Sequence, residues 1–164
     1  MRPNKGDKDD VCSSLATYVI NYSTFVSLLE KAHQTSSLFA LKDIIAASLN
    51  TLNVYGYKYE GFVQAYDSLS AYLNNSLDLL NYDKYESLFK PNWPIYTRTY
   101  DTPPVIYGKD ARVKGCFIAN GSQIEGEVEN SIIGRGCVIE KGAVVKNSIL
   151  LANARVCADV HLNN

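Results

Sequence analysis

The sequence predicts an α/β region over residues 1–90, a proline-rich connector over 91–110, and a three-sided coil of short parallel strands over 111–164. Three observations carry this reading. Aliphatic residues recur in steps of six at Ile133, Ile139, Val145 and Leu151. The segment "KPNWPIYTRTYDTPPVIYG" holds Pro91, Pro94, Pro103 and Pro104 and has no apolar period, so it reads as an extended connector. Upstream of it, apolar residues switch between helical and strand spacing.

Taken in chain order, the charged opening "MRPNKGDKDD" is followed by "LATYVINY", Leu15 to Tyr22, which reads as a short buried strand. Ser23 can cap a helix that carries Phe25, Leu28, Leu29 and Ala32 on one face, with His33 near its C-terminal dipole end. A second helix is expected from about Leu38, with Leu41, Ile45 and Leu49 at helical spacing. Tyr55, Tyr57 and Tyr59 alternate along a strand and read as a packed sheet face rather than a sugar platform. Asp67 or Ser68 starts a third helix with the stripe Leu69, Tyr72, Leu73, Leu77 and Leu80. Strand, helix, helix, strand, helix is an α/β order.

The step of six decides the last third. A helix turns about 100° per residue, so six steps scatter side chains over three sides and leave no buried stripe. A flat strand fails too, because the pairs Ile132/Ile133, Val138/Ile139, Val144/Val145 and Leu150/Leu151 send apolar atoms both ways, and Gly134, Gly136 and Gly142 interrupt it. Three short strands per turn, with a bend in each hexad and one inward aliphatic, satisfy the pattern. Ile133 then stacks on Leu151, eighteen residues on, and Cys137, Ala143 and Ile149 fill the space beside the bends. Ile118, Ile124 and Val128 extend the pattern upstream, and the fifteen-residue step from Ile118 to Ile133 marks one irregular turn. The pattern resembles the hexapeptide-repeat left-handed parallel β-helix, whose hand is implied by that resemblance and not by the period. About three turns fit in 111–164.

Composition narrows the function classes. A formal net charge of −1 offers no basic surface for nucleic acid or an anionic membrane. No apolar run approaches the roughly 20 residues that span a bilayer, and the polar opening does not read as a signal peptide, so a cytoplasmic protein is expected. Cys12, Cys116, Cys137 and Cys157 form no CxxC and join no histidine pattern, which argues against a disulfide framework or a metal site.

"KDII" at Lys42–Ile45, "SLDLL" at Ser76–Leu80, "NWPIYTR" at Asn92–Arg98, Pro103-Pro104 and "IANGSQIEGEVENSIIGRG" at Ile118–Gly136 go further than the hexads. With them the chain resembles, from about Ser13 onward, the C-terminal part of the bacterial glucose-1-phosphate adenylyltransferases, or ADP-glucose pyrophosphorylases. The resemblance implies that the α/β region is the C-terminal part of a nucleotidyltransferase domain. It implies a parent reaction in which ATP and glucose 1-phosphate give ADP-glucose and pyrophosphate, with magnesium held between carboxylates. The family's glycine-rich phosphate loop and sugar-phosphate lysine correspond to no segment of this sequence, so no catalytic residue, no cofactor and no ATP binding are expected of this chain by itself. Ser14, in "SSLATYV", matches a serine at the sugar site of "ASMGIYV"-type segments, with Leu15 and Ala16 in place of Met-Gly.

Two departures qualify the chemistry. Catalytic members carry "YWxDVGT", whose aspartate lies at the sugar and metal site, and here "FVQAYDS" puts Ala65 in its place. Asp67, two positions on, is read as a helix N-cap. "FALKDII" also lacks the carboxylate of "DFGKDII". Kept scaffold with lost site residues is similar to the divergent second subunit of this family in some Gram-positive bacteria, which implies a catalytic-subunit partner in a hetero-oligomer. Relative to the family, the coil is expected to be truncated, with an open last turn prone to self-association. Two other classes stay open: a hexapeptide acyltransferase using His161 as general base, and a pure assembly module.

Overall fold

The computed structural model describes residues 14–35 and 40–164; Cys12 and the expected helix start at Leu38 lie outside them. The chain divides into two compact units, with the boundary between Lys58 and Tyr59. A few helices are followed by a parallel β-solenoid of about three turns.

In the first unit, α1 spans Tyr22–Thr35 and α2 spans Leu41–Ala47. The side chain of Asn21, not Ser23, caps α1: its Oδ1 accepts from the Ser23 amide at 3.0 Å and the Ser23 hydroxyl at 2.8 Å. Leu28 and Ala32 on α1 meet Ile44 on α2, with Ile20 and Leu52 at the edge. The inward residue of α2 is Ile44, one position before the expected Ile45, and Leu49 is exposed.

Neither expected strand forms. Residues 14–21 and 53–60 carry no strand pairing, and Tyr55 and Tyr57 are 90% and 91% exposed rather than packed on a sheet. A strand persists when a neighbour satisfies its N–H and C=O groups, and among the described residues no strand lies beside either segment.

The second unit opens with α3, Leu69–Asp78, and α4, Tyr82–Leu88. Ser68 is the N-cap of α3, accepting from the Ala71 amide at 3.1 Å, so the capping role expected of Asp67 falls to its neighbour. The α3 stripe is only half-buried and Leu69 is exposed. No expectation covered α4. Its signals are Asn81, which accepts from the Asp83 and Lys84 amides, and the aromatics Tyr82, Tyr85 and Phe89 at helical spacing. Tyr85 meets Phe117 of the coil edge-on, with centroids 5.5 Å apart.

The coil consists of β1 Ile106–Tyr107, β2 Arg112–Lys114, β3 Phe117–Ile118, β4 Gln123–Ile124, β5 Glu127–Glu129, β6 Ile132–Ile133, β7 Val138–Ile139, β8 Val144–Lys146, β9 Ile149–Leu150, β10 Arg155–Val156 and β11 His161–Asn163. Every pairing is parallel, in three sheets ordered β1-β4-β7-β10, β2-β5-β8-β11 and β3-β6-β9. Ile124, Ile139 and Val156 point inward from the first sheet, Val128 and Val145 from the second, and Ile133 from the third. Cys137 and Ala143 are fully buried beside the bends, as the hexads predict.

The turn length differs from expectation. Ile133 pairs with Leu150, seventeen residues on, rather than with Leu151, which is 69% exposed. The third corner causes this. Gly115, Asn130, Asn147 and Asn164 stand there with positive φ, and the step across that corner, Val145 to Leu150, is five residues, against six from Ile139 to Val145 and from Leu150 to Val156. Ser148 therefore takes the buried bend position that the hexads assign to Ile149. The irregular turn is also located: Ile118 pairs with Ile133, and the corner between Ile124 and Val128 is two residues shorter than the one between Ile139 and Val145.

The third corner is tied by an amide ladder. Asn130 Nδ2 donates to Asn147 Oδ1 at 2.7 Å, and Asn147 Nδ2 donates to Asn163 Oδ1 at 2.9 Å. Asn147→Ala removes both bonds and puts a Cβ without a local hydrogen bond at φ 48, so a loss of about 1–3 kcal/mol is expected in urea unfolding. Asn147→Gly, which keeps the backbone freedom, is expected to lose less.

Candidate functional site

Of the three positions marked by the sequence, Ser14 belongs to the first unit and Ala65 and Asp67 to the second. Ser14 is exposed, and its hydroxyl accepts from the Ala16 amide at 3.2 Å. Ala16 stands at φ 53, the left-handed region that suits glycine.

Ala65 is exposed and sits on a segment stitched to α3. Its carbonyl accepts from Asn75 Nδ2 at 2.7 Å, and Gln64 Nε2 donates back to the Asn75 carbonyl at 3.0 Å. Tyr66 packs at 60° to Tyr72 with centroids 5.9 Å apart. The local backbone is thus held from α3 while the side chain at the key position is a methyl group. Sequence reasoning missed Asn75, whose only signal is an amide on the half-buried side of a helix.

These residues do not fit a magnesium ion. Magnesium takes oxygen ligands in near-octahedral geometry, commonly carboxylates. Segment 62–68 offers one carboxylate, Asp67, two positions from the one to which the resemblance assigns the metal-site aspartate. Among the described residues, no group of three or more His, Cys, Asp or Glu is placed to hold a metal.

The coil carries the strongest electrostatics. Register places Lys114, Glu129 and Lys146 in one line across β2, β5 and β8. Lys146 Nζ lies 2.8 Å from Glu127 and 3.2 Å from Glu129. Lys146, then Lys114, hold the Glu129 carboxyl below its ordinary value, while Glu127 and then Glu129 raise Lys146. On the first sheet, Arg155 grips Glu140 through Nε at 2.8 Å and through Nη2, and Glu140 also accepts from the Ala158 amide. Arg155, then that amide, push the Glu140 carboxyl below 4.5. These pairs join successive turns of the coil. Their signal in the sequence is opposite charge fifteen, seventeen or nineteen residues apart, visible only once the turn length is known.

A pH effect follows from Glu140. Its folded carboxyl titrates below the unfolded one, so its contribution is complete above the unfolded value and is lost as pH falls through the lowered one, a window beginning at about pH 4.5. Glu140→Gln is expected to flatten the fall of Tm in that window while changing Tm little at pH 7, the modest effect of an exposed pair. Thermal melts of both proteins from about pH 7 down to pH 3 check it.

The histidines show no catalytic setting. His33 lies in the last turn of α1, as expected of a dipole partner. His161 is exposed on β11 in register with Val144, and among the described residues no hydrogen bond or ion pair orients its ring. A general base needs such an orienting partner or a substrate pocket. Arg98 and Arg135 both lie over the Tyr100 ring, at 5.0 and 5.1 Å from its centroid, and the Arg135 contact ties the middle of the connector to the coil. No helix among the described residues is long and apolar enough to cross a membrane.

Comparison with known proteins matches both regions. Residues 106–164 fit the family model described as GlmU-like, C-terminal hexapeptide. The glycogen biosynthesis protein GlgD of Bacillus subtilis is 32% identical over 133 residues, covering 81% of this chain and 38% of that protein. GlgD of Geobacillus stearothermophilus is 38% identical over 132 residues, covering 80% and 38%. Glucose-1-phosphate adenylyltransferase of Clostridium perfringens is 29% identical over 147 residues, covering 88% and 37%. The chain thus spans little more than a third of the length of these relatives.

Proposed function

We propose, from this kinship with glucose-1-phosphate adenylyltransferases and GlgD proteins over most of the chain, that it acts in glycogen biosynthesis as part of a regulatory, catalytically impaired adenylyltransferase subunit. One feature supports the finer reading: by the resemblance of "FVQAYDS" to "YWxDVGT", Ala65 takes the place of the aspartate of catalytic members. A methyl group neither coordinates a metal nor accepts a hydrogen bond from a sugar hydroxyl. Asn75 holds the Ala65 backbone in place, so the loss is one of chemistry and not of local structure.

In this reading ATP and glucose 1-phosphate react on a catalytic partner subunit, which supplies the carboxylates for magnesium. This subunit contributes its coil to a hetero-oligomer and raises the partner's turnover. Ser14 remains a candidate contact for the sugar. The site of action is the cytoplasm, where the sugar phosphate and ATP are made.

The test is ADP-glucose synthesis by the full-length protein alone, by the catalytic partner alone, and by their mixture. The protein alone is expected to fall at least about 10²-fold below the mixture, the size of one positioned catalytic group. The mixture is expected to exceed the partner alone. Activity of the isolated protein close to that of the mixture overturns the impaired reading, and a mixture no faster than the partner overturns the regulatory one.

A further inference from the structure

We draw no further inference here: the strongest candidate, the uncharged outer face of the third coil sheet formed by Phe117, Ile132, Ile149 and Leu151, has only its first strand seated under Tyr85 of α4, and nothing in the structure shows what covers the rest.

Discussion

Ile139→Ala is expected to destabilise the coil by about 2–5 kcal/mol, the range for truncating a fully buried isoleucine. Ile139 has no exposed surface and lies between Ile124 and Val156, in the centre of the first sheet. A triangular prism this narrow has no second layer to collapse into the void, so the cavity persists and the cost falls in the upper part of that range. At roughly 2–4 °C per kcal/mol for a chain of this size, the thermal midpoint drops by about 5–20 °C. Leu151→Ala is the matched control. An uninterrupted eighteen-residue turn makes Leu151 a core residue equal to Ile133, whereas the observed register puts Leu150 inside and leaves Leu151 mostly in solvent. Leu151→Ala is therefore expected to change stability by no more than about 0.5 kcal/mol. Equal losses for the two variants, read by circular dichroism melts, show that the seventeen-residue register is wrong.

Gly126→Ala is expected to be the most damaging single methyl in the coil. A Cβ there meets the Ala143 carbonyl oxygen at 2.3 Å and the Glu140 carbonyl oxygen at 2.9 Å. Both are backbone atoms of the next turn, so no flexible side chain can move aside. The Glu127 amide donates to the same Ala143 carbonyl at 2.8 Å, and a shift that makes room also breaks that ladder bond. Overpacking costs about 1–3 kcal/mol where side chains can adjust, and the rigid neighbour here places the effect at or above the top of that range. Gly115→Asn separates this close approach from a simple backbone preference. Gly115 sits at φ 61 with open space where a Cβ would project, in the same corner stack as Asn130 and Asn147. Asparagine is therefore expected to be tolerated there within about 1 kcal/mol. Urea midpoints of the two variants decide the matter; a Gly126→Ala protein as stable as the parent rules out the pinched corner.

The coil was readable because its inward positions recur at short steps of four to six residues: Ile124, Val128, Ile133, Ile139 and Val145 are all buried as the repeat predicts. The α/β region was read less well. Its helices appeared, with caps at Asn21 and Ser68 in place of the nearest alternatives, Ser23 and Asp67. Adjacent Asn, Asp and Ser residues all cap well, and only the backbone angle selects one. The tyrosine strand failed because alternation shows which residues suit a strand and not whether a neighbour exists to pair with it. The α4 helix was lost among charged residues, its aromatic stripe being too short to show a period.

For the candidate site the balance was different. That position 65 holds alanine is given by the sequence, while the missing carboxylate is what the resemblance to catalytic members implies. The sequence by itself thus determined the three-sided coil and most of its inward aliphatics, because period and residue type are local properties. Tertiary structure alone decided that Leu150 rather than Leu151 faces inward, that Lys146 bridges Glu127 and Glu129, and that Asn75 holds Ala65. Each depends on how far the chain advances per turn or on which helix returns to which loop. The five-residue step from Val145 to Leu150 shortens the turn and thereby sets which residues of successive turns meet.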